Sequence, residues 1–149
     1  MAETPTATHV AWDALVELAK GALPGVQVVD GPHEVFEPEK DFLVVGYSDG
    51  NDPAVTVSYD EPDVGLRRVE EGDITCAIVS YSGEVAMKPR RDRCAELLGT
   101  LADALNASPG LGGAVDAAWL GVEASWIPTQ ASDGAACTVL FTVHYRAYL

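Results

Sequence analysis

The pattern of apolar and polar positions divides the chain into eight regular elements. From Thr8, which is placed to cap a helix, apolar residues recur at Trp12, Leu15, Val16, Ala19 and Leu23. That spacing is one buried helical face, and Pro24-Gly25 stops it. Val26-Gln27-Val28-Val29 reads as a short strand, and Phe42-Leu43-Val44-Val45, apolar on both faces, as a central one. Val55-Thr56-Val57-Ser58-Tyr59 alternates as a half-buried strand does, and residues 73–81 return to strand with Ile74, Cys76 and Ile78 on one face. A second helix runs from near Pro89, with Cys94, Leu97, Leu98, Leu101, Ala102 and Leu105 on its apolar stripe. Glycines at 110, 112 and 113 end it. Two long strands, 115–127 and 136–148, close the chain around a Ser132-Asp133-Gly134 turn, with Cys137 through Ala147 alternating inward and Thr138, Thr142, His144 and Arg146 mostly outward.

The order α-β-β-β-β-α-β-β, with strands joined mostly by short turns, predicts an α+β fold. Its sheet is mostly antiparallel, with both helices packed on one face. The 149 residues form a single domain, 1–149, with a flexible tail over 1–7 and an exposed charged arm over 60–72. Nothing in the chain is long and apolar enough to span a membrane, and the start lacks the basic and apolar runs of a signal peptide, so neither membrane insertion nor secretion is expected.

Charge narrows the possible partners. The chain carries −14, with 13 acids and 2 bases in residues 1–63. Such a polyanion cannot grip DNA by counterion release. Cys76, Cys94 and Cys137 have no C-x-x-C spacing and no histidine nearby, which predicts buried, reduced thiols and no zinc site.

Motifs that could carry catalysis fail in their context. Gly46-Tyr47-Ser48-Asp49-Gly50 has the letters of a nucleophile elbow, but Asn51-Asp52-Pro53 leads on to a strand where that motif needs a helix. Pro109-Gly110-Leu111-Gly112-Gly113 follows a helix and lacks dinucleotide-loop spacing. Asp49-Gly50-Asn51-Asp52 departs from a calcium loop, and His9, His33 and His144 form no metal pair. No enzyme, metal or cofactor is expected.

One charge feature calls for a partner. Lys88, Arg90, Arg91 and Arg93 cluster at the start of the second helix, where cations oppose the helix dipole. The alternatives are a solvated face and a contact with acids on another copy, for which residues 30–63, with ten acids against Lys40, are a supply. In the arm, Arg67 and Arg68 can pair with acids on a partner, and Glu70 and Glu71 lie beside them.

Taken together, the segments resemble the tail terminator (tail completion) proteins of long-tailed actinobacterial phages and prophages. The resemblance runs through Ala22-Leu23-Pro24-Gly25-Val26-Gln27-Val28, Asp30-Gly31-Pro32, Phe42-Leu43-Val44-Val45-Gly46 and Gly65-Leu66-Arg67-Arg68-Val69-Glu70-Glu71. It continues through Tyr81-Ser82-Gly83, the helix with Leu97-Leu98 and Leu101, Pro109-Gly110-Leu111-Gly112-Gly113 and Phe141-Thr142-Val143-His144-Tyr145-Arg146. The resemblance implies a non-catalytic virion protein, made in the host cytoplasm, that forms a homo-hexameric ring on the tail tube. Its partners would be itself, the major tail tube protein and a head-completion or neck protein, with DNA passing through the lumen unbound. The alternatives are another neck or head-tail connector protein and a small acidic binding module.

Overall fold

The computed structural model describes residues 6–31, 41–60 and 68–149. Its elements are α1 (Thr8–Ala22), β1 (Gln27–Asp30), β2 (Phe42–Val45), β3 (Val55–Tyr59), β4 (Val69–Ser82), α2 (Lys88–Ala107), a 3₁₀ turn (Leu111–Gly113), β5 (Ala117–Ala131) and β6 (Gly134–Tyr148). The strands form one six-stranded sheet in the order β1-β2-β4-β6-β5. Among the described residues only the β1–β2 pair is parallel. β4 is long enough to carry two partners along one edge: β3 pairs with Val69's half, from Glu70 to Ile74, and β2 with the stretch from Cys76 to Val79. The α+β expectation holds.

Both helices lie on one face of the sheet. Ala11, Leu15, Val16 and Ala19 of α1 and Cys94, Leu97, Leu101 and Leu105 of α2 share one core with Ile74, Cys76 and Ile78 of β4 and the inward positions of β6 from Cys137 to Ala147. Leu98 lies at the edge of this core, only partly buried, so the stripe is narrower than its spacing predicts. The opposite face holds a smaller apolar cluster of Val29, Phe42, Val44 and Ala77 at the β1–β2 side, and polar side chains at the β4–β6–β5 side.

Two local readings are corrected. Thr8 does not cap α1: it is the first helical residue, Ala7 is the cap, and the Glu70 carboxylate accepts the Ala7 N–H at 3.0 Å. The charged arm is shorter than expected, because β4 begins at Val69 and Asp60 N–H donates to Val69 C=O at 3.0 Å. Residues 69–72 are therefore a fixed part of the sheet. The rest of the arm, 61–67, and most of the N-terminal tail lie outside the described residues.

Candidate functional site

Strand alternation sorts the charged residues that the sequence grouped together. Successive β4 side chains point to opposite faces, so Glu70 enters the helix side and Glu71 the open side. Glu70 is fully buried. It accepts hydrogen bonds from Thr6 Oγ1 at 2.6 Å, Tyr145 Oη at 2.7 Å and the Ala7 N–H. Burial alone would raise its carboxyl pKa, but these donors and the nearby Tyr59 hydroxyl outweigh it and hold the value below normal. Glu70 is thus an internal anchor for the start of α1 and not a partner contact, contrary to the reading of the sequence.

Two of the four bases in the basic segment, Arg90 and Arg93, are likewise turned inward. Arg93 Nε donates to Asp41 Oδ2 at 2.6 Å, and Ser80 Oγ donates to Asp41 Oδ1 at 2.6 Å. Arg90 Nη1 donates to Ser80 Oγ at 2.7 Å and lies 3.9 Å from Asp41. Lys88 pairs with Asp92 one turn on, at 2.6 Å. The Arg90, Arg93 and Ser80 bonds tie the first turns of α2 to the start of β2, a contact within the chain that differs from both a solvated face and a contact with another copy. Arg91 differs from its neighbours: it is exposed and has no partner among the described residues.

Arg68 stays at the margin of the sheet, its guanidinium 5.2 Å from the centre of the Tyr59 ring and its backbone C=O accepting from Leu149 N–H. Arg67 lies outside the described residues. Ser48, the letter-match nucleophile, donates to Asp52 C=O at 2.6 Å and accepts from Gly50 N–H at 3.1 Å. The Asp49 carboxylate accepts from Asn51 and Asp52 N–H, which lower its pKa. The segment is a self-bonded turn, as its context predicts.

The polar side chains of the open face converge elsewhere. The antiparallel register sets His144 directly opposite Asp73 on one side and Trp119 on the other, and Arg146 opposite Glu71. Direct cross-strand neighbours are close enough to bond. His144 Nδ1 lies 2.8 Å from Asp73 Oδ1, and Trp119 lies against the imidazole at 4.7 Å between centroids, tilted by 45°. Arg146 Nη2 lies 2.8 Å from Glu71 Oε1, whose pKa is held down first by this guanidinium. A bulge in β5 sets Gly121, Val122 and Glu123 opposite the single residue Thr142. Gly121 lies close against Thr142: a Cβ there would overlap the Thr142 hydroxyl unless that side chain turned away.

Asp73, Trp119, Thr142, His144 and the bulge residues, with Thr56 and Thr75, line an open groove of about 610 Å³. Its walls are an aromatic ring, threonine hydroxyls and carboxylates. Glu123 is exposed and has no partner among the described residues, and Asp73 keeps one oxygen beyond the bond to His144. A ring face and carboxylates side by side are the groups that bind guanidinium or ammonium ions. Asp73 and His144 form half of a nucleophile-activating relay, but the second imidazole nitrogen faces Glu71 at 3.6 Å, where such a relay needs a hydroxyl or thiol. Among the described residues no cluster of three metal-ligating side chains occurs.

The sequence missed this groove. Its one legible signal is the outward alternation of Thr142, His144 and Arg146 in β6; the partners on β4 and β5 depend on register.

No helix among the described residues is long and apolar enough to cross a membrane. No protein-family profile matches the chain, and no curated protein sequence matches it.

Proposed function

We propose that the chain is a structural virion protein, a tail terminator that caps the tail tube as a hexameric ring and presents a joining surface to the head. The observation that carries this reading is the exposed β5 edge. β5 lies at the end of the strand order, and from Val122 onward its residues are exposed on both of its faces. Trp126 and Ile127, neighbours that point to opposite sides, are 42% and 45% exposed, and Val122 is fully exposed. Apolar side chains on both sides of a free edge suit an element that is covered in an assembly. Pro128 and the bulge limit simple strand-to-strand addition, so the cover is a shaped surface and not an indefinitely growing sheet.

The resemblance of the sequence segments to those of tail terminators supports the same reading, as does the charge. Six copies at −14 each carry −84, and a lumen facing DNA with carboxylates repels phosphates and lets the genome pass. Partners are a second copy, the tail tube protein and a neck protein. Deleting the gene from its phage or prophage tests the assignment: tails should form without joining heads, and supplying the protein in trans should restore joining. Normal infectious particles without the protein would overturn it.

A further inference from the structure

Of the seven described basic side chains, six have partners and Arg91 has none among the described residues. Lys20, Lys88, Arg90, Arg93 and Arg146 meet carboxylates, and Arg68 sits over Tyr59. Arg91 lies exposed in the first turn of α2, where the helix dipole disfavours a positive charge. Its position costs stability and returns none within one chain. On the open face of the sheet, the groove presents the complement: the unpaired Glu123 carboxylate, the free oxygen of Asp73 and the Trp119 ring, which is 38% exposed.

We infer that Arg91 of one copy docks in the Trp119–Asp73–Glu123 groove of a second copy. A guanidinium fits this site better than an ammonium would, because it stacks flat on an indole while its fork of N–H donors reaches two carboxylates at once. The contact joins two different surfaces, α2 on one copy and the open sheet face on the next. A head-to-tail contact of that kind leaves an unused groove on one copy and an unused Arg91 on the other, so it can repeat, and it ends in a ring where the rotation between copies closes. The inference rests on the ring reading only for closure at six; the pairwise contact stands on the unmatched charges alone. Glu123 sits in the β5 bulge, which gives that irregularity a purpose: it aims a carboxylate at the groove that regular pairing would place elsewhere.

Charge reversal tests the contact on the full chain. Arg91→Glu and Glu123→Arg should each weaken self-association, read by sedimentation, by about tenfold or more, as close interfacial charge pairs do. The double reversal should recover most of the loss. Cysteines give a second reading: copies carrying Arg91→Cys mixed with copies carrying Glu123→Cys should give a disulfide-linked pair under mild oxidation, absent from either variant alone. The native thiols are buried and do not compete. A double reversal no better than the singles, a chain that stays monomeric at every concentration, or a mixture without the linked pair would each overturn the contact. Association through this pair that closes at a number other than six supports the contact and contradicts the hexameric ring. Particles of Arg91→Glu with an intact terminator ring would do the reverse.

Discussion

The Tyr145 ring lies across Gly72, its direct cross-strand partner, and so carries its hydroxyl to the buried Glu70 carboxylate. A Cβ at position 72 would overlap the ring. Two residues that look unremarkable in sequence, a glycine in a charged stretch and a tyrosine in an alternating strand, thus bring a β6 side chain into hydrogen bond with the Glu70 carboxylate.

Gly72→Ala should therefore destabilise the fold by about 1–3 kcal/mol, the usual cost of overpacking. Tyr145→Phe keeps the ring and removes the donor, and should cost about 1.5–3 kcal/mol, as hydrogen bonds to charged groups do. Urea denaturation of both variants measures this. If either change is neutral, the Glu70 anchor is not holding α1 to the sheet.

Glu70 also sets an acid limit. Its folded-state pKa lies below the ordinary 4.5, so the stability it contributes is fully present above that value. As pH falls below 4.5 the unfolded chain takes up the proton first, and the contribution disappears as pH passes through the lowered folded value. Glu71, held low by Arg146, acts in the same direction. Denaturation midpoints should fall from about pH 4.5 downward, and Glu70→Gln should flatten that limb while lowering stability at neutral pH. An unchanged slope in the variant would contradict the anchor.

The Arg93–Asp41 pair should matter more than an ordinary surface ion pair. It is partly buried, at 33% and 18% side-chain exposure, and Asp41 also accepts from Ser80. Asp41→Ala removes the acceptor shared by Arg93 and Ser80 and the carboxylate nearest Arg90, leaving Arg93 only Glu96 and Arg90 its bond to Ser80, and should cost about 1–3 kcal/mol in thermal or chemical unfolding. Reversing Arg90, Arg91 and Arg93 together should unfold or strongly destabilise the monomer. Reversing the exposed Arg91 alone should leave the melting curve within about 0.5 kcal/mol of the parent, as surface changes do.

The thiols should be silent. Burial pushes the Cys76 and Cys94 pKa values up to about 12. With the thiolate suppressed and access closed, alkylation should fail in the native state and reach all three cysteines only in denaturant. Rapid native labelling would show a core that opens.

The sequence reveals those elements whose faces differ clearly. α1, α2, β2 and β6 have apolar positions at a fixed period, and their boundaries fall within a residue or two of the expected ones. β4 was cut short because Val69-Glu70-Glu71-Gly72 reads as solvated loop; its burial depends on Thr6 and Tyr145, each more than sixty residues away. The basic run was misread for the same reason. Its acidic partner, Asp41, is brought close by the pairing of β2 with β4, and no local pattern encodes that approach. The groove is the extreme case, since Asp73, Trp119 and His144 become neighbours only through the registers of two long antiparallel ladders.

The central claim is a ring of this chain at the end of a tail. If the proposed reading holds, the gene belongs to a phage or prophage, and cryo-electron microscopy of the particles its host produces tests the claim most directly. The account predicts six copies around the tube at its head-proximal end, each fitted by the α+β domain with its β5 edge covered. Particles whose head-tail junction contains no density for this domain, or contains it in a ring of another number, would contradict it.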